Sequence, residues 1–183
     1  MSKYFSIILA TIGFIFAIYE FRKNQKKKTV DGLGKLNPHR PPNIRIVYSR
    51  NQNAKDRPKI SSSRDVNNWF RKIWSKQIEI REEMYLILLN RNNRILGYHK
   101  LSMGGITGTV ADIRLLFAVA LKSLASSVII AHNHPSGNVK PSNADIELTR
   151  KIREAGKLLD ITLLDHIIIT NNDYYSLADE GDM

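Results

Sequence analysis

Apolar residues recur at helical spacing across residues 65–74, which predicts an amphipathic helix that begins after a cap at Ser63. Its apolar face would consist of Val66, Trp69, Phe70, Ile73 and Trp74. Because both tryptophans share this face, packing in a protein core is favoured over stacking on nucleic-acid bases.

Short apolar runs with little polar alternation predict buried strands. The predicted strands cover residues 82–90, 95–102, 127–131 and 163–170, with a last extended piece at 174–176. Two further helices are predicted over residues 112–126 and 143–158, and Ser142 would cap the second. Strands separated by helices, with one hairpin, indicate an α/β or α+β domain in which a mixed sheet and its flanking helices form three layers.

The N-terminal residues are strongly apolar. Residues 4–19 carry no charge, and with the long flanking side chains of Lys3 and Arg22 they approach the length of about 20 residues that a membrane span requires. Residues 22–28 then carry five Lys or Arg side chains, an order that places the following chain in the cytoplasm. We therefore predict a transmembrane anchor over residues 1–21. A cleaved signal peptide would have the reverse charge order, and a buried N-terminal extension is the remaining alternative.

Residues 22–59 are rich in proline, glycine and basic side chains. The part from Arg22 to Lys59 contains twelve Lys or Arg against two Asp, in a chain whose formal net charge is +11, and we interpret it as a linker. Its charge suits an anionic membrane surface, and the alternatives are an ordinary solvated linker or weak contact with nucleic acid. The chain has no cysteine, which excludes thiolate zinc sites and cysteine proteases for the remaining domain, residues 60–183.

Candidate metal ligands stand at the end of a predicted strand and at the start of the helix that follows it. His132 and His134 are two residues apart, so both imidazoles point to the same side of an extended segment. Residues 135–137 predict a turn, and Asp145 falls in the first helical turn, where the helix dipole favours a carboxylate. Two histidines and one aspartate leave the fourth tetrahedral position to water, which is the arrangement of a catalytic zinc site.

The spacing of His-x-His, seven residues, Ser, two residues and Asp resembles the JAMM (MPN+) metalloprotease signature with every position filled. The segments HNHPSG, KPSNAD and LLDHIII narrow this resemblance to the RadC-like JAB-domain family over residues 60–181. The resemblance implies a JAB/MPN-like fold and a zinc-dependent metallohydrolase that cleaves an amide or isopeptide bond in a peptide or protein substrate. RadC-like proteins are also commonly labelled as DNA-repair proteins.

The resemblance further implies a glutamate that acts as general base and acid, eight residues ahead of the Asp or Asn that ends a strand. Counting back from Asn90 selects Glu82, with Glu83 as the alternative. The resemblance also implies that the Ser142 hydroxyl, besides capping the helix, helps to stabilise the oxygen that develops on the substrate carbonyl. Asp165 and His166 interrupt an apolar strand, so we expect both near the site, either as partners that orient a ligand or as hydrogen-bonded core residues.

Two functions from other classes remain open at this point. A nuclease or nucleic-acid-binding protein of DNA repair should bind DNA in a salt-sensitive manner through the basic linker. A non-catalytic binding module stabilised by zinc should tolerate loss of Glu82 but still need His132. The letters HNH at residues 132–134 are not the nuclease motif of that name, whose residues are dispersed over a ββα-metal fold. The residues leave the substrate and the oligomeric state undetermined.

Overall fold

The computed structural model describes residues 53–104 and 111–183. The predicted anchor over residues 1–21 and most of the predicted linker over residues 22–59 lie outside the described residues. Within the described ranges, no helix combines the length and the apolar character that crossing a membrane requires.

The described residues form a mixed arrangement of helices and strands. The helices are α1 (Ser63–Ile73), α2 (Ile113–Lys122), α3 (Asn143–Leu158) and α4 (Leu177–Glu180). The strands are β1 (Glu83–Leu89), β2 (Ile95–Met103), β3 (Ser127–Asn133), β4 (Thr162–Ile169) and β5 (Tyr174–Ser176). This order confirms the α/β fold that the sequence predicts.

The strands form one mixed sheet in the order β2-β1-β3-β4-β5. Neighbouring strands are antiparallel except for β3 and β4, which run parallel. A parallel pair needs a long crossover, and α3 supplies it between β3 and β4. The end of β3 and the start of α3 are therefore consecutive in the chain, and both candidate ligand segments lie there.

Side chains of the sheet alternate between two apolar cores, one on each face. The core beneath α2 and α3 contains Met84, Leu86, Leu88, Leu116, Phe117, Val128, Ile130 and Ile152. The core beneath α1 contains Val66, Phe70, Tyr85, Ile87, Leu89, Ile129, Ala131 and Ile167, with Trp69 and Trp74 packed against it. Helices thus cover both faces of the sheet, and Trp69 of α1 and Trp74, its C-cap, pack against the core as predicted.

Several element boundaries differ from those predicted. α1 is capped by Ser62 rather than Ser63, because Ser62 and Asp65 form a reciprocal capping box. α2 ends at Lys122, and Leu124 just beyond it has a left-handed φ of 53°. β3 runs beyond residue 131 to Asn133, which places the first histidine within the strand itself.

An irregularity in β4 determines which of its polar side chains faces the histidines. Val128 of β3 pairs with Leu163, but the next residue of β3, Ile129, pairs with Asp165. Leu164 is therefore an extra residue in β4, a β-bulge, and it packs on the α1 side of the sheet. Beyond the bulge, Asp165 also lies on the α1 side, and His166 turns towards α3.

Candidate metal centre

His132 and His134 meet at the C-terminal end of β3, on the sheet face that α2 and α3 cover. Their Nε2 atoms are 2.9 Å apart. His132 is 2% exposed and pairs with Met84 of β1 and Ile168 of β4. The backbone that presents this histidine is thus held on both sides within the sheet.

The N terminus of α3 carries the third candidate ligand. Ser142 is the N-cap, and the Asp145 carboxylate accepts its backbone N–H at 2.8 Å. Asp145 Oδ1 lies 3.1 Å from His132 Nε2, and Asp145 Oδ2 lies 3.6 Å from His134 Nε2. One ligand atom from each residue lies within 4.8 Å of the others, so the three predicted ligands form a group that could hold a metal ion.

A chain of hydrogen bonds behind His132 assigns the protons of its ring. Thr149 Oγ1 donates its one proton to the Asp145 carbonyl oxygen at 2.6 Å, so it accepts from His166 Nδ1 at 2.7 Å. Burial lowers the pKa of His166 well below its usual value, so this ring is neutral. His166 Nε2 then accepts from His132 Nδ1 at 2.8 Å. A neutral His132 therefore directs an unprotonated Nε2 at the ligand group.

A hydrogen bond to a loop gives His134 the same tautomer, with the proton on Nδ1. Its Nδ1 lies 2.6 Å from the carbonyl oxygen of Asn138, which can only accept, so Nδ1 carries a proton. The turn that presents this carbonyl includes Gly137 at a φ of 80°, a conformation that favours glycine. In the neutral rings both Nε2 lone pairs face one another, an arrangement that a shared cation stabilises.

The electrostatics of the group favour a negative Asp145 beside a positive charge. Burial alone would raise the pKa of the Asp145 carboxyl, but the Ser142 hydroxyl, together with His132 and His134 when these rings carry an additional proton on Nε2, holds that pKa well below its usual range. The hydrogen bond to Asp145 raises the pKa of His134, and the charge of Glu82 adds to this effect. Without a metal, the same carboxylate therefore attracts a proton to His134.

The alternation of β1 separates the two candidate glutamates. Met84 lies on the face of its partner His132, so Glu82, two residues earlier, is directed towards the same face. Glu83 is directed to the opposite face, where it is 1% exposed. Its carboxylate accepts from Lys100 Nζ at 2.7 Å and from Ser75 Oγ at 2.8 Å. Glu83 is thus occupied elsewhere, and the geometry favours Glu82 as the candidate base.

The Ser142 hydroxyl is engaged within the capping box. It accepts the Asp145 backbone N–H at 3.2 Å and donates its proton to Asp145 Oδ2 at 2.6 Å. The capping role that the sequence predicts is therefore present, and it orients the Asp145 carboxylate. The role towards a substrate oxygen stays a prediction, because in this arrangement the hydroxyl proton is directed at Asp145.

The two polar residues of β4 have different positions. His166 contacts His132, as expected for a residue that orients a ligand. The prediction that Asp165 lies near the site is wrong, because the bulge at Leu164 turns Asp165 to the other face. There its carboxylate accepts from Ser176 Oγ at 2.7 Å and from the Ala178 N–H at 3.1 Å, which ties β5 and α4 to the sheet.

Sequence reasoning missed Thr149 and Asn133. Thr149 stands four residues after Asp145, which is one helical turn, so its position relative to that ligand was readable from the chain. Its contact with His166 was not readable, because that contact joins α3 to β4. Asn133 stands between the histidines, and its contacts lie on the opposite face of the sheet.

The described residues also form a cavity of about 810 Å³ away from the metal group. Its lining includes Arg91, Ser127, Arg153, Gly156 and Thr162, near the N-terminal ends of β3 and β4. None of the three candidate ligands belongs to this lining. The candidate ligands instead lie at the end of β3 and the start of α3.

Comparison with known proteins agrees with this arrangement. The profile of the RadC-like JAB domain family matches residues 60–182. A UPF0758 protein of Flavobacterium johnsoniae is 43% identical over 139 residues, which cover 74% of this chain and 60% of that protein. A UPF0758 protein of Porphyromonas gingivalis is 42% identical over 138 residues, which cover 74% of this chain and 61% of that protein.

A third relative, a UPF0758 protein of Methanosarcina mazei, is 38% identical over 159 residues, which cover 85% of this chain and 68% of that protein. The chain thus spans about three fifths of the length of the first two relatives. The family match covers most of the chain, and it includes all three candidate ligands. The chain therefore belongs to the RadC-like JAB domain family.

Proposed function

We propose that this protein is a zinc-dependent metallohydrolase of the JAMM type, which hydrolyses a peptide or isopeptide bond. The proposal rests on one observation above all. Two histidine nitrogens and one carboxylate converge at the end of β3, and Glu82 is directed to the same face. Membership of the RadC-like JAB domain family supports it. The names of the relatives state no activity, so the support for hydrolysis comes from the residues of this chain.

The donor set fits zinc. Imidazole nitrogen and carboxylate oxygen are both zinc ligands, and three protein ligands are typical of a catalytic site. His132 and His134 would bind through Nε2, because each Nδ1–H is already donated to a fixed acceptor. The side chains of His134 and Asp145 are 15% and 14% exposed, so a substrate can approach the group from their side.

Each residue then has a distinct task in hydrolysis. When bound, zinc supplies a Lewis acid that polarises a carbonyl group and lowers the pKa of a water ligand towards about 7. The Glu82 carboxylate takes a proton from the attacking water and then transfers it to the leaving amine nitrogen. Ser142 holds the Asp145 carboxylate in place through the capping box. His166 and Thr149 keep His132 in the tautomer that leaves Nε2 free.

The test compares the 183-residue chain with its Glu82→Gln and His132→Ala variants. Zinc content is measured by metal analysis, and hydrolysis by a quenched-fluorescence peptide library together with an isopeptide-linked lysine probe. Glu79→Gln is the matched control, since Glu79 is an exposed glutamate of the same segment.

We expect one equivalent of zinc in the wild type, in Glu82→Gln and in Glu79→Gln, and none in His132→Ala. Hydrolysis should fall by about 10²–10⁴-fold in Glu82→Gln and stay unchanged in Glu79→Gln. Zinc in the wild type without hydrolysis of either probe would favour a non-catalytic binding module. A wild-type chain that binds no zinc would contradict the proposal altogether.

A further inference from the structure

Asn133 stands between the two histidines but points to the opposite face of the sheet. It is 0% exposed. Its Oδ1 accepts the Glu83 backbone N–H at 2.7 Å, and its Nδ2 donates to the carbonyl oxygens of Ile78 at 2.6 Å and Arg81 at 2.9 Å. All three partners are main-chain groups of residues 78–83, which lead into β1.

These bonds hold the backbone on both sides of Glu82. The Arg81 carbonyl belongs to the peptide group before Glu82, and the Glu83 N–H belongs to the peptide group after it. A side chain that binds both groups from one face leaves the intervening side chain directed to the other face. That other face carries His132 and His134.

Other contacts of this segment are a hydrogen bond from Ser75 Oγ to the Glu83 carboxylate at 2.8 Å and the packing of Trp74 and Ile78 against the core beneath α1. Residues 74–82 contain neither helix nor strand, and the turn at Gln77 is closed by local bonds from the N–H groups of Ile80 and Arg81. Glu82 itself receives one main-chain bond, from the Gly104 N–H at 2.8 Å. The carboxamide of Asn133 connects the backbone of this segment directly to β3 through hydrogen bonds.

We propose that Asn133 is a positioning residue for the general base. By binding the peptide groups on both sides of Glu82, it sets the place of that carboxylate relative to the metal group. This inference rests on the proposed function, because it takes Glu82 as the base. Asn133 itself contacts neither substrate nor metal, and it acts through the backbone of Glu82.

The side-chain chemistry explains why asparagine serves here. An amide side chain offers an acceptor oxygen and two N–H donors in one plane, so it can bind an N–H and two carbonyls at once. A serine could satisfy at most one of the two carbonyls, because its hydroxyl has one proton. β3 therefore has two functions on its alternate faces. The histidines on one face would bind the metal, and Asn133 on the other face forms a clamp, which is the set of hydrogen bonds that holds the backbone around Glu82.

The experiment uses Asn133→Ala and Asn133→Ser in the 183-residue chain, each also combined with Glu82→Gln. Neither substitution introduces a buried charge, and thermal unfolding establishes that each variant is folded. Asn92→Ala is the matched control, since Asn92 is an exposed asparagine in the β1–β2 turn. Zinc content, kcat and KM are measured, together with hydrogen exchange at the amides of residues 78–83.

We expect zinc content to stay at one equivalent and kcat to fall by about 100-fold with KM little changed, the cost of a base displaced by about 1 Å. Asn133→Ser should retain more activity than Asn133→Ala. Neither should lower the activity of Glu82→Gln further, because both act through the same group. The amides of residues 78–83 should exchange faster, and those of β3 residues 127–131 should not.

Three results would overturn the inference. The first is that the Asn133 variants lose bound zinc together with activity. The second is that they lower the activity of Glu82→Gln by a further 100-fold. The third is that they keep the wild-type kcat and show unchanged hydrogen exchange at residues 78–83. If the wild type hydrolyses neither probe, the proposed function has failed, and the exchange measurement still tests the clamp. In that case unchanged exchange at residues 78–83 in Asn133→Ala would overturn it.

Discussion

At the scale of single residues, the Thr149 hydroxyl links the backbone of one candidate ligand to the ring of another. It donates to the Asp145 carbonyl and accepts from His166, which in turn accepts from His132. Each bond in this chain has one possible direction once the carbonyl is taken as an acceptor. A single hydroxyl thereby assigns the tautomer of a ligand that it does not touch.

We therefore expect Thr149→Val to lower zinc affinity by about 10–100-fold, the usual effect of removing a partner that orients a metal ligand. Valine preserves the shape but leaves His166 Nδ1 without an acceptor, so His166 can take the other tautomer. Affinity is measured by competition with a chelator of known zinc affinity.

Thr170→Val is the control, because Thr170 is also buried and its hydroxyl donates to the Asp173 carbonyl at 3.2 Å rather than to a residue of the candidate metal group. Both variants should lose a similar amount of stability, about 1 kcal/mol. Equal zinc affinities in the two variants would show that the tautomer chain does not act on the ligands.

At the scale of elements, α1 and α3 begin with the same capping box. Ser62 and Asp65 cap α1, and Ser142 and Asp145 cap α3, with the serine hydroxyl 3.2 Å from the aspartate N–H in both. One box is structural, since its carboxylate binds two backbone N–H groups. The other lies beside the histidines, and its carboxylate belongs to the candidate metal group. The chain thus contains its own control for separating capping from metal binding.

Ser142→Ala and Ser62→Ala should each lower the free energy of unfolding by about 1 kcal/mol, the usual cost of removing a cap. Only Ser142→Ala should also weaken zinc binding, because the Asp145 carboxylate loses the hydroxyl that holds its Oδ2. Urea unfolding of the zinc-free chain measures the first effect, and chelator competition measures the second. The same zinc affinity in both variants would assign Ser142 to capping alone.

At the scale of the whole domain, the site depends on how α3 lies against the sheet. Asp145 is in the first turn of this helix, and Gly156 is in its last. A Cβ at Gly156 would lie 2.3 Å from the carbonyl oxygen of Ile161, just ahead of β4. The last turn of α3 thus approaches the segment that leads into β4 too closely to accept a side chain at this position.

Gly156→Ala should therefore destabilise the domain by about 1–3 kcal/mol, the usual cost of overpacking. This clash with backbone outweighs the gain of about 1 kcal/mol that alanine brings to a helix. Gly97→Ala is the control, because a Cβ there would meet nothing within 4 Å. Thermal unfolding of the two variants should separate them clearly, and equal stabilities would contradict the packing argument.

The sequence by itself determined the parts of the site that depend on local spacing. His132 and His134 share a face because strand side chains alternate, and Asp145 stands in the first turn because Ser142 caps the helix. The apolar spacing of α1 likewise predicted its buried face. Each of these inferences needs only a few neighbouring residues and a regular repeat, and both are properties of the chain itself.

The tertiary structure decided the features of the site that do not follow from the regular spacing of side chains along helices and strands. A bulge at Leu164 interrupts the alternation of β4, so His166 rather than Asp165 faces the ligands. The contacts of Lys100 and Ser75 with the Glu83 carboxylate, which favour Glu82 as the candidate base, likewise join segments that are distant in the chain. The physical reason is that an inserted residue and a contact between distant segments have no periodic signature, because their energy comes from neighbours that only folding brings together.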